Sequence, residues 1–186
     1  MKEMEYKTLI TTDEATCVFK KLTRKNAQFS QYIQINYYYD DKWKLHNANE
    51  TLRIRHKEEQ LTLQHKTNKI YTDVSRICDE YEKEIKQLMP RINPSKDIEE
   101  KLINHNFILL GDMVTERTDF SINNCLVSLD KNIYLGCVDY ELEIEYVHEQ
   151  ELISFFNMLW GGPRVTNKLG KYKRFAKKYK ALFEAS

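Results

Sequence analysis

The first ten residues, Met1-Lys2-Glu3-Met4-Glu5-Tyr6-Lys7-Thr8-Leu9-Ile10, alternate in a way that decides how the rest of the chain is read. As a β-strand they put Glu3, Glu5 and Lys7 on one face and Met4, Tyr6 and Thr8 on the other. A half-buried strand ordinarily pairs an apolar core face with a wet one, and a wet face accepts almost any polar residue. Here the second face carries only charged groups, two acids and a base. Either that face meets water or it lines a charged cavity.

Other stretches repeat the pattern. Arg53 and Arg55 share a face opposite Leu52 and Ile54; Glu80, Glu82 and Glu84 share another. Glu141, Glu143 and Glu145 share a third, with Leu142, Ile144 and Tyr146 behind them. Lys66 and Arg117 each fall in a strand-like run, and Asp130-Lys131 ends one. Solvated outer faces with cross-strand ion pairs would account for any one of these strands. As a set they favour a lumen. Glu is a poor strand former, so three on one face gain nothing locally, and they repel one another unless a cation neutralises them. Clustered carboxylates suit a hard cation such as Mg²⁺ or Mn²⁺, whereas Arg and Lys suit phosphate oxygens. The residue chemistry therefore points to a metal-dependent phosphate site.

The remaining pattern is consistent with a small, mainly antiparallel β protein. A helix follows the first strand, capped at Thr12-Asp13 and carrying Ala15, Phe19 and Leu22. Strands are expected over 31–39, 50–57, 60–66, 80–85, 107–120 (bent near Gly111), 125–131 and 137–147, with a Glu58-Glu59 turn, a polar loop over 40–49 and an irregular loop over 67–76. Ser95 caps a helix holding Ile98, Leu102 and Ile103. A further helix over 149–160 is stopped by Gly161-Gly162-Pro163, and the last begins near Lys171 with Tyr172, Phe175, Tyr179 and Leu182 inside. About eight strands joined by short turns suit a closed antiparallel β-barrel with flanking helices, an α+β fold that is mainly β; an open α+β sheet is the alternative.

At 186 residues the chain is expected to form one domain, 1–186. Lys plus Arg (29) nearly balances Asp plus Glu (28), which argues against a dedicated nucleic-acid-coating protein. The basic run from Lys171 to Lys180 reads as a solvated helix face. Cys17, Cys78, Cys125 and Cys137 have no metal or disulfide spacing, and the five histidines are scattered. No apolar run approaches the ~20 residues a membrane span needs, and no apolar signal core follows Met1. A cytoplasmic protein with no membrane partner is expected.

Glu3-Met4-Glu5-Tyr6-Lys7 resembles the amino-terminal ExExK signature of the CYTH superfamily, the triphosphate tunnel metalloenzymes. Tyr38-Tyr39-Asp40 resembles the family's aromatic-aromatic-Asp after the second strand. Leu52-Arg53-Ile54-Arg55 and Leu61-Thr62-Leu63-Gln64-His65-Lys66 resemble its paired-arginine and lysine strands. Glu80 and Glu82, Arg117, Asp130 and Glu141-Leu142-Glu143-Ile144-Glu145 follow in family order, and the match is closest to small bacterial stand-alone members. The resemblance implies an eight-stranded tunnel and hydrolysis or cyclisation of triphosphate substrates with Mg²⁺ or Mn²⁺.

By the same resemblance Glu3, Glu5, Glu141, Glu143 and Glu145 would hold the metal, with catalysis centred on Glu3, Glu5, Lys7 and Glu143. Lys7, Arg53, Arg55, Lys66, Arg117 and Lys131 would grip phosphate, supported by Glu80, Glu82 and Asp130. The late Ser-Lys-Tyr motif of the family reads Leu169-Gly170-Lys171-Tyr172 here, so Lys168 and Lys171 both compete for the tunnel position. Gln64 stands where a lysine is common. Inorganic triphosphate is the first substrate expected, since no base-recognition element is evident. Cyclisation of ATP, thiamine triphosphate hydrolysis and non-catalytic polyphosphate or nucleotide sensing are the alternatives, and the oligomeric state is left open.

Overall fold

The computed structural model describes residues 2–71, 76–92, 106–122, 124–162, 164 and 169–184. The side chains of 2, 3, 68, 69, 71, 76 and 77 fall outside that description. The expected helix over 95–103 lies outside the described residues, as does Lys168.

The elements run β1 (Lys2–Ile10), α1 (Thr12–Arg24), β2 (Gln28–Asp40), α2 (Lys44–Asn47), β3 (Thr51–Lys57), β4 (Gln60–Tyr71), β5 (Arg76–Ile85), β6 (Arg91–Ile92), β7 (Phe107–Ile122), β8 (Cys125–Tyr134), β9 (Cys137–Glu145), α3 (Glu149–Trp160) and α4 (Lys171–Phe183). The expected mainly antiparallel β fold is present, with four helices among the described residues. All nine strands belong to one antiparallel sheet, ordered β2-β3-β4-β5-β1-β9-β8-β7-β6. β2 pairs with β3 along one edge, from Gln34–Lys57 to Tyr39–Leu52. Along its other edge it pairs with β7, from Gln28–Ser121 to Asp40–Ile108.

Strand alternation is used in reverse of the common plan: the apolar faces point outward under helices, and the polar faces point inward. On β1, Tyr6 is fully buried against α3, its ring 4.7 Å from that of Phe156. Leu142 and Ile144 of β9, Val127 and Leu129 of β8, and Phe120 of β7 complete that apolar layer with Val18 and Leu22 of α1. A second layer, Leu52, Ile54, Leu63, Tyr39 and Phe107, covers the outer face of β2–β4 beneath Leu45 of α2.

Sequence explains the helix ends. α1 begins one residue earlier than expected, because Thr11 and Glu14 form a reciprocal capping box, Glu14 N to Thr11 Oγ1 at 3.2 Å and Thr11 N to Glu14 Oε2 at 2.9 Å. Gly161, in the left-handed region, ends α3 as expected. The expected polar loop over 40–49 contains a helix, α2, because Asp40 accepts from the backbone N–H groups of both Leu45 and His46. β4 extends to Tyr71, into the stretch expected to be irregular, and residues 72–75 lie outside the description.

α4 closes one end of the polar interior. Tyr172, Phe175 and Ala176 pack on Tyr38, Met113 and Tyr134. Leu182, expected inside, is 51% exposed, since it falls past the last turn that meets the sheet. The bend expected near Gly111 is a register shift: Tyr38 opposes Gly111 and Tyr39 opposes Leu109. At Gly111 (φ +155°) a Cβ would lie 3.0 Å from Phe175 Cζ, so the small residue lets α4 approach.

Candidate functional site

Two contiguous halves of the sheet face each other across the polar interior. β5, β1, β9 and β8 are neighbours and contribute Glu80 and Glu82, Glu5, then Glu141, Glu143 and Glu145, and Asp130. β7, β2, β3 and β4 form the other half and contribute Arg117, Arg53, Arg55 and Lys66. A cavity of about 110 Å³ lies between them, lined among others by Glu5, Lys7, Arg55, Glu80, Glu143 and Lys171. That volume exceeds the roughly 10–15 Å³ one water needs, so several waters or a few oxyanion oxygens fit.

The deepest acids form a tight knot. One carboxylate oxygen from each of Asp130, Glu141 and Glu143 lies within 4.8 Å of the others, and all three residues are buried. At its centre sits the Lys171 ammonium, 2.7 Å from Asp130 Oδ2 and 2.6 Å from both Glu141 Oε1 and Glu143 Oε1. Arg117 donates to both Asp130 oxygens and to Glu143 Oε2, each at 2.7 Å. Lys7 bridges Glu143 and Glu5, at 3.0 Å to each. Arg174 donates to Glu141 Oε2 at 2.5 Å and to Asp139 Oδ2 at 2.9 Å.

Electrostatics follow from that packing. Burial alone would raise the Glu143 carboxyl, but Lys171, Lys7 and Arg117 outweigh it and hold the group well below the usual carboxylate range. Asp130 is likewise lowered: burial opposes ionisation, and Lys171 and Arg117 overcome it. Burial would lower Lys171, yet Asp130, Glu141 and Glu143 raise it. Three acids thus meet four cations, Lys7, Arg117, Lys171 and Arg174. These three acids have the spacing of a metal-ligand group, and the Lys171 ammonium supplies the positive charge at their centre.

The acids nearer the cavity are arranged differently. Glu5 and Glu145 stand directly opposite each other on the same face of β1 and β9, as Lys7 and Glu143 do one step further. Like charges in direct cross-strand opposition repel, and a divalent cation between Glu5 and Glu145 would relieve that. Carboxylate oxygens from these two residues, beside the Lys7 that meets Glu5 at 3.0 Å, form a donor set suited to a hard cation.

Along the basic wall the charges are unequally matched. Lys66 pairs with Glu80 at 2.7 Å. Arg53 donates to Gln64 Oε1 at 2.7 Å, and Gln64 passes the contact on to Glu82. Arg55 has, among the described residues, one side-chain hydrogen bond, from Nε to Asn36 Oδ1 at 3.2 Å. Burial first, then repulsion from Arg53 and Arg117, pushes its pKa down to about 10. It is a cation in want of an anion.

The structure thus gathers Glu5, Lys7, Arg53, Arg55, Lys66, Glu80, Glu82, Arg117, Asp130, Glu141, Glu143, Glu145 and Lys171 around one interior. Lys131 is a correction. It neighbours Asp130 on a strand, so only one of the two can face inward, and Lys131 lies on the outer face paired with Glu116 at 3.0 Å. Of the two late lysines, Lys171 reaches the interior; Lys168 and the Glu3 side chain lie outside the described residues. The basic run from Lys171 is not wholly a solvated face, since Lys171 and Arg174 are both buried. Arg174 went unrecognised in the sequence, although its i, i+3 spacing from Lys171 puts both on one helix face. So did the role of Asp40, whose Oδ2 accepts from Tyr172 OH at 2.5 Å.

Comparison with known proteins agrees with this geometry. Among curated proteins none matches the chain in sequence. A candidate adenylyl cyclase of Hippeastrum, described with a dominant triphosphatase activity, superposes with a TM-score of 0.75 at 18% identity, covering 94% of this chain and 95% of its own. A candidate adenylate cyclase of Bacillus halodurans gives 0.67 at 21% identity, covering 90% and 96%. A Pyrococcus horikoshii protein gives 0.65 at 21%, covering 95% and 99%. At such identities these likenesses establish the fold. The sequence model of the CYTH domain matches residues 1–167, most of the chain, and this protein belongs to the CYTH domain family.

Proposed function

We propose that this protein is a divalent-metal-dependent hydrolase of triphosphate substrates, with inorganic triphosphate the first choice. The reading includes a single domain, 1–186, whose eight long strands close into a tunnel, a closure supported by β2 pairing with both β3 and β7. One observation carries it: a carboxylate wall faces a guanidinium and ammonium wall, and Arg55 on the latter has no carboxylate hydrogen-bond partner among the described residues. CYTH membership and the triphosphatase activity given for the Hippeastrum protein point the same way.

In this reading Arg53, Arg55, Lys66 and Arg117 bind phosphate oxygens and hold the chain of phosphates along the basic wall. Glu5 and Glu145, with Glu143 and Glu3, hold Mg²⁺ or Mn²⁺, which supplies Lewis-acid polarisation of a phosphoryl oxygen when bound. Lys7 and Lys171 screen the acids from the substrate's negative charge. An acid-oriented water attacks the terminal phosphorus in line, and the bond to the pyrophosphate leaving group breaks.

Incubation with tripolyphosphate, ATP or thiamine triphosphate, with Mg²⁺ or Mn²⁺, tests this by measuring phosphate, pyrophosphate and cyclic AMP. Metal-dependent phosphate release from tripolyphosphate is expected. Cyclic AMP from ATP would make it a cyclase, and tight binding without turnover a sensor. Phosphate release that survives Glu5→Gln would overturn the metal assignment.

A further inference from the structure

Two amides in the middle of the basic wall have no role in the ion-pair network. Gln34 and Asn36 lie on β2, 1% and 0% exposed, while Ile33 between Tyr32 and Gln34 is 59% exposed. The alternation turns both amides into the lumen. Gln34 Nε2 and Asn36 Nδ2 are buried without a hydrogen-bond partner among the described residues. For Asn36 the orientation of the amide is fixed by chemistry: its Oδ1 accepts from Arg55 Nε, so the opposite end carries the N–H groups. Buried N–H donors left unpaired are costly, and folded chains keep few of them without a use.

Their surroundings are rich in cations. Asn36 opposes Arg55 on β3, and Gln34 opposes Lys57. On the other side Gln34 opposes Thr115, one same-face step from Arg117. Thr115 itself is committed to Asn132 at 2.8 Å. The lumenal positions of β2 from Gln28 to Tyr38 include no carboxylate. A further cation here would be repelled by Arg53, Arg55 and Arg117, which already crowd one another. An amide adds N–H donors without adding charge.

We infer that Gln34 and Asn36, beside Arg55, form an uncharged donor row that binds the oxygens of one phosphoryl group of a condensed phosphate. The inference rests on the triphosphate reading above and assigns that substrate a subsite on β2. The oxyanion would take two N–H donors from the amides and the guanidinium N–H groups of Arg55 that have no partner among the described residues. Its tetrahedral oxygens would meet neutral and charged donors side by side.

The test uses Gln34→Leu, which keeps the volume and removes the amide, and Asn36→Asp, which keeps the acceptor for Arg55 but removes the N–H donors. Ligand-free melting and tripolyphosphate affinity are measured by calorimetry in EDTA, so that turnover does not enter. Gln34→Leu is expected to melt at or above the wild-type temperature and to bind tripolyphosphate about tenfold more weakly. Asn36→Asp, which also neutralises Arg55, is expected to lose about a hundredfold. Wild-type affinity in either variant overturns the inference. So does a lowered ligand-free melting temperature or a failure to fold in Gln34→Leu, since that would give the amide a structural partner. If the wild-type protein binds neither tripolyphosphate nor pyrophosphate, in EDTA or with Mg²⁺ or Mn²⁺ added, the triphosphate reading falls and takes this subsite with it.

Discussion

Arg174 and Glu141 meet at 2.5 Å although 33 residues separate them in sequence. With Lys171, one turn earlier, Arg174 fastens the first turn of α4 to β9, and Lys171 reaches β8 through Asp130. Cations at the start of a helix oppose its dipole, and α4 has no acid in its first turn. The helix holds its place because the sheet supplies the missing carboxylates.

Removing that anchor should loosen α4. Arg174→Met leaves Glu141 and Asp139 short of a buried cation, a loss of about 3 kcal/mol, the lower end for breaking a buried pair. For a chain of this size that is a fall of roughly 6–12 °C in Tm. Calorimetry measures it. Adding Glu141→Leu should restore part of the loss, and wild-type melting of the single variant would show that the pair does not hold the helix.

Gly111 should tolerate no side chain while Phe175 stays in place. Gly111→Ala forces a Cβ to 3.0 Å from Phe175 Cζ, at a cost of about 1–3 kcal/mol for an overpacked core. In the Phe175→Leu background the same change should cost less. Additive effects of the two changes on Tm would contradict the contact.

Arg55 and Arg117 should behave as opposites. Arg117→Met strands Asp130 and Glu143 and should destabilise the ligand-free protein by about 3 kcal/mol. Arg55→Met removes a guanidinium with one amide partner, so its Tm should stay near wild type while tripolyphosphate affinity falls about tenfold or more. Denaturant melts and titration calorimetry on the two variants separate the roles, and equal destabilisation would erase the distinction.

Acid should undo the knot from its carboxylates. Asp130 and Glu143 have folded-state pKa values below their ordinary ones. Their contribution is therefore fully present above the ordinary carboxylate pKa of about 4 and is lost as pH falls through the depressed folded values. Lys171 is raised, so its share is present below the ordinary lysine pKa of about 10 and is lost only in stronger alkali. The Tm difference between wild type and Asp130→Asn should hold steady from pH 6 to 9 and shrink below about pH 4. A difference that grows on acidification would reverse the sign of the effect.

The walls were legible because each is written in strict alternation. Glu5 and Lys7, Arg53 and Arg55, and Glu141, Glu143 and Glu145 could only share faces once their strands were recognised. What alternation does not encode is which strand lies beside which, and so who meets whom between strands. Lys7 finds Glu143 from 136 residues away, a matter of sheet order and register. Lys131 shows the limit from the other side: a neighbour of an inward acid on a strand must point out, and reading the pair as a unit hid that.

The helical parts were harder for a different reason. The three long helices carried apolar stripes, with a cap before α1 and a glycine stop after α3, but α2 depends on a side chain outside it, Asp40, which also takes the Tyr172 hydroxyl. Arg174 looked like one more base on a solvated face because a basic run gives no sign of which members are buried. The amides of Gln34 and Asn36 are quieter still. An unpaired N–H has no signature in sequence, since every Gln and Asn carries one.

The Lys171 ammonium, held by three carboxylates at 2.6–2.7 Å, has a consequence for how the chain matures. Domains that assemble around an ion stay unfolded until it arrives, and chelators denature them. Here the deepest acids receive their counter-charge from Lys171 at the start of α4, so docking of α4 and neutralisation of the interior coincide. Loss of that docking, and not chelation, is then what would set these acids against one another.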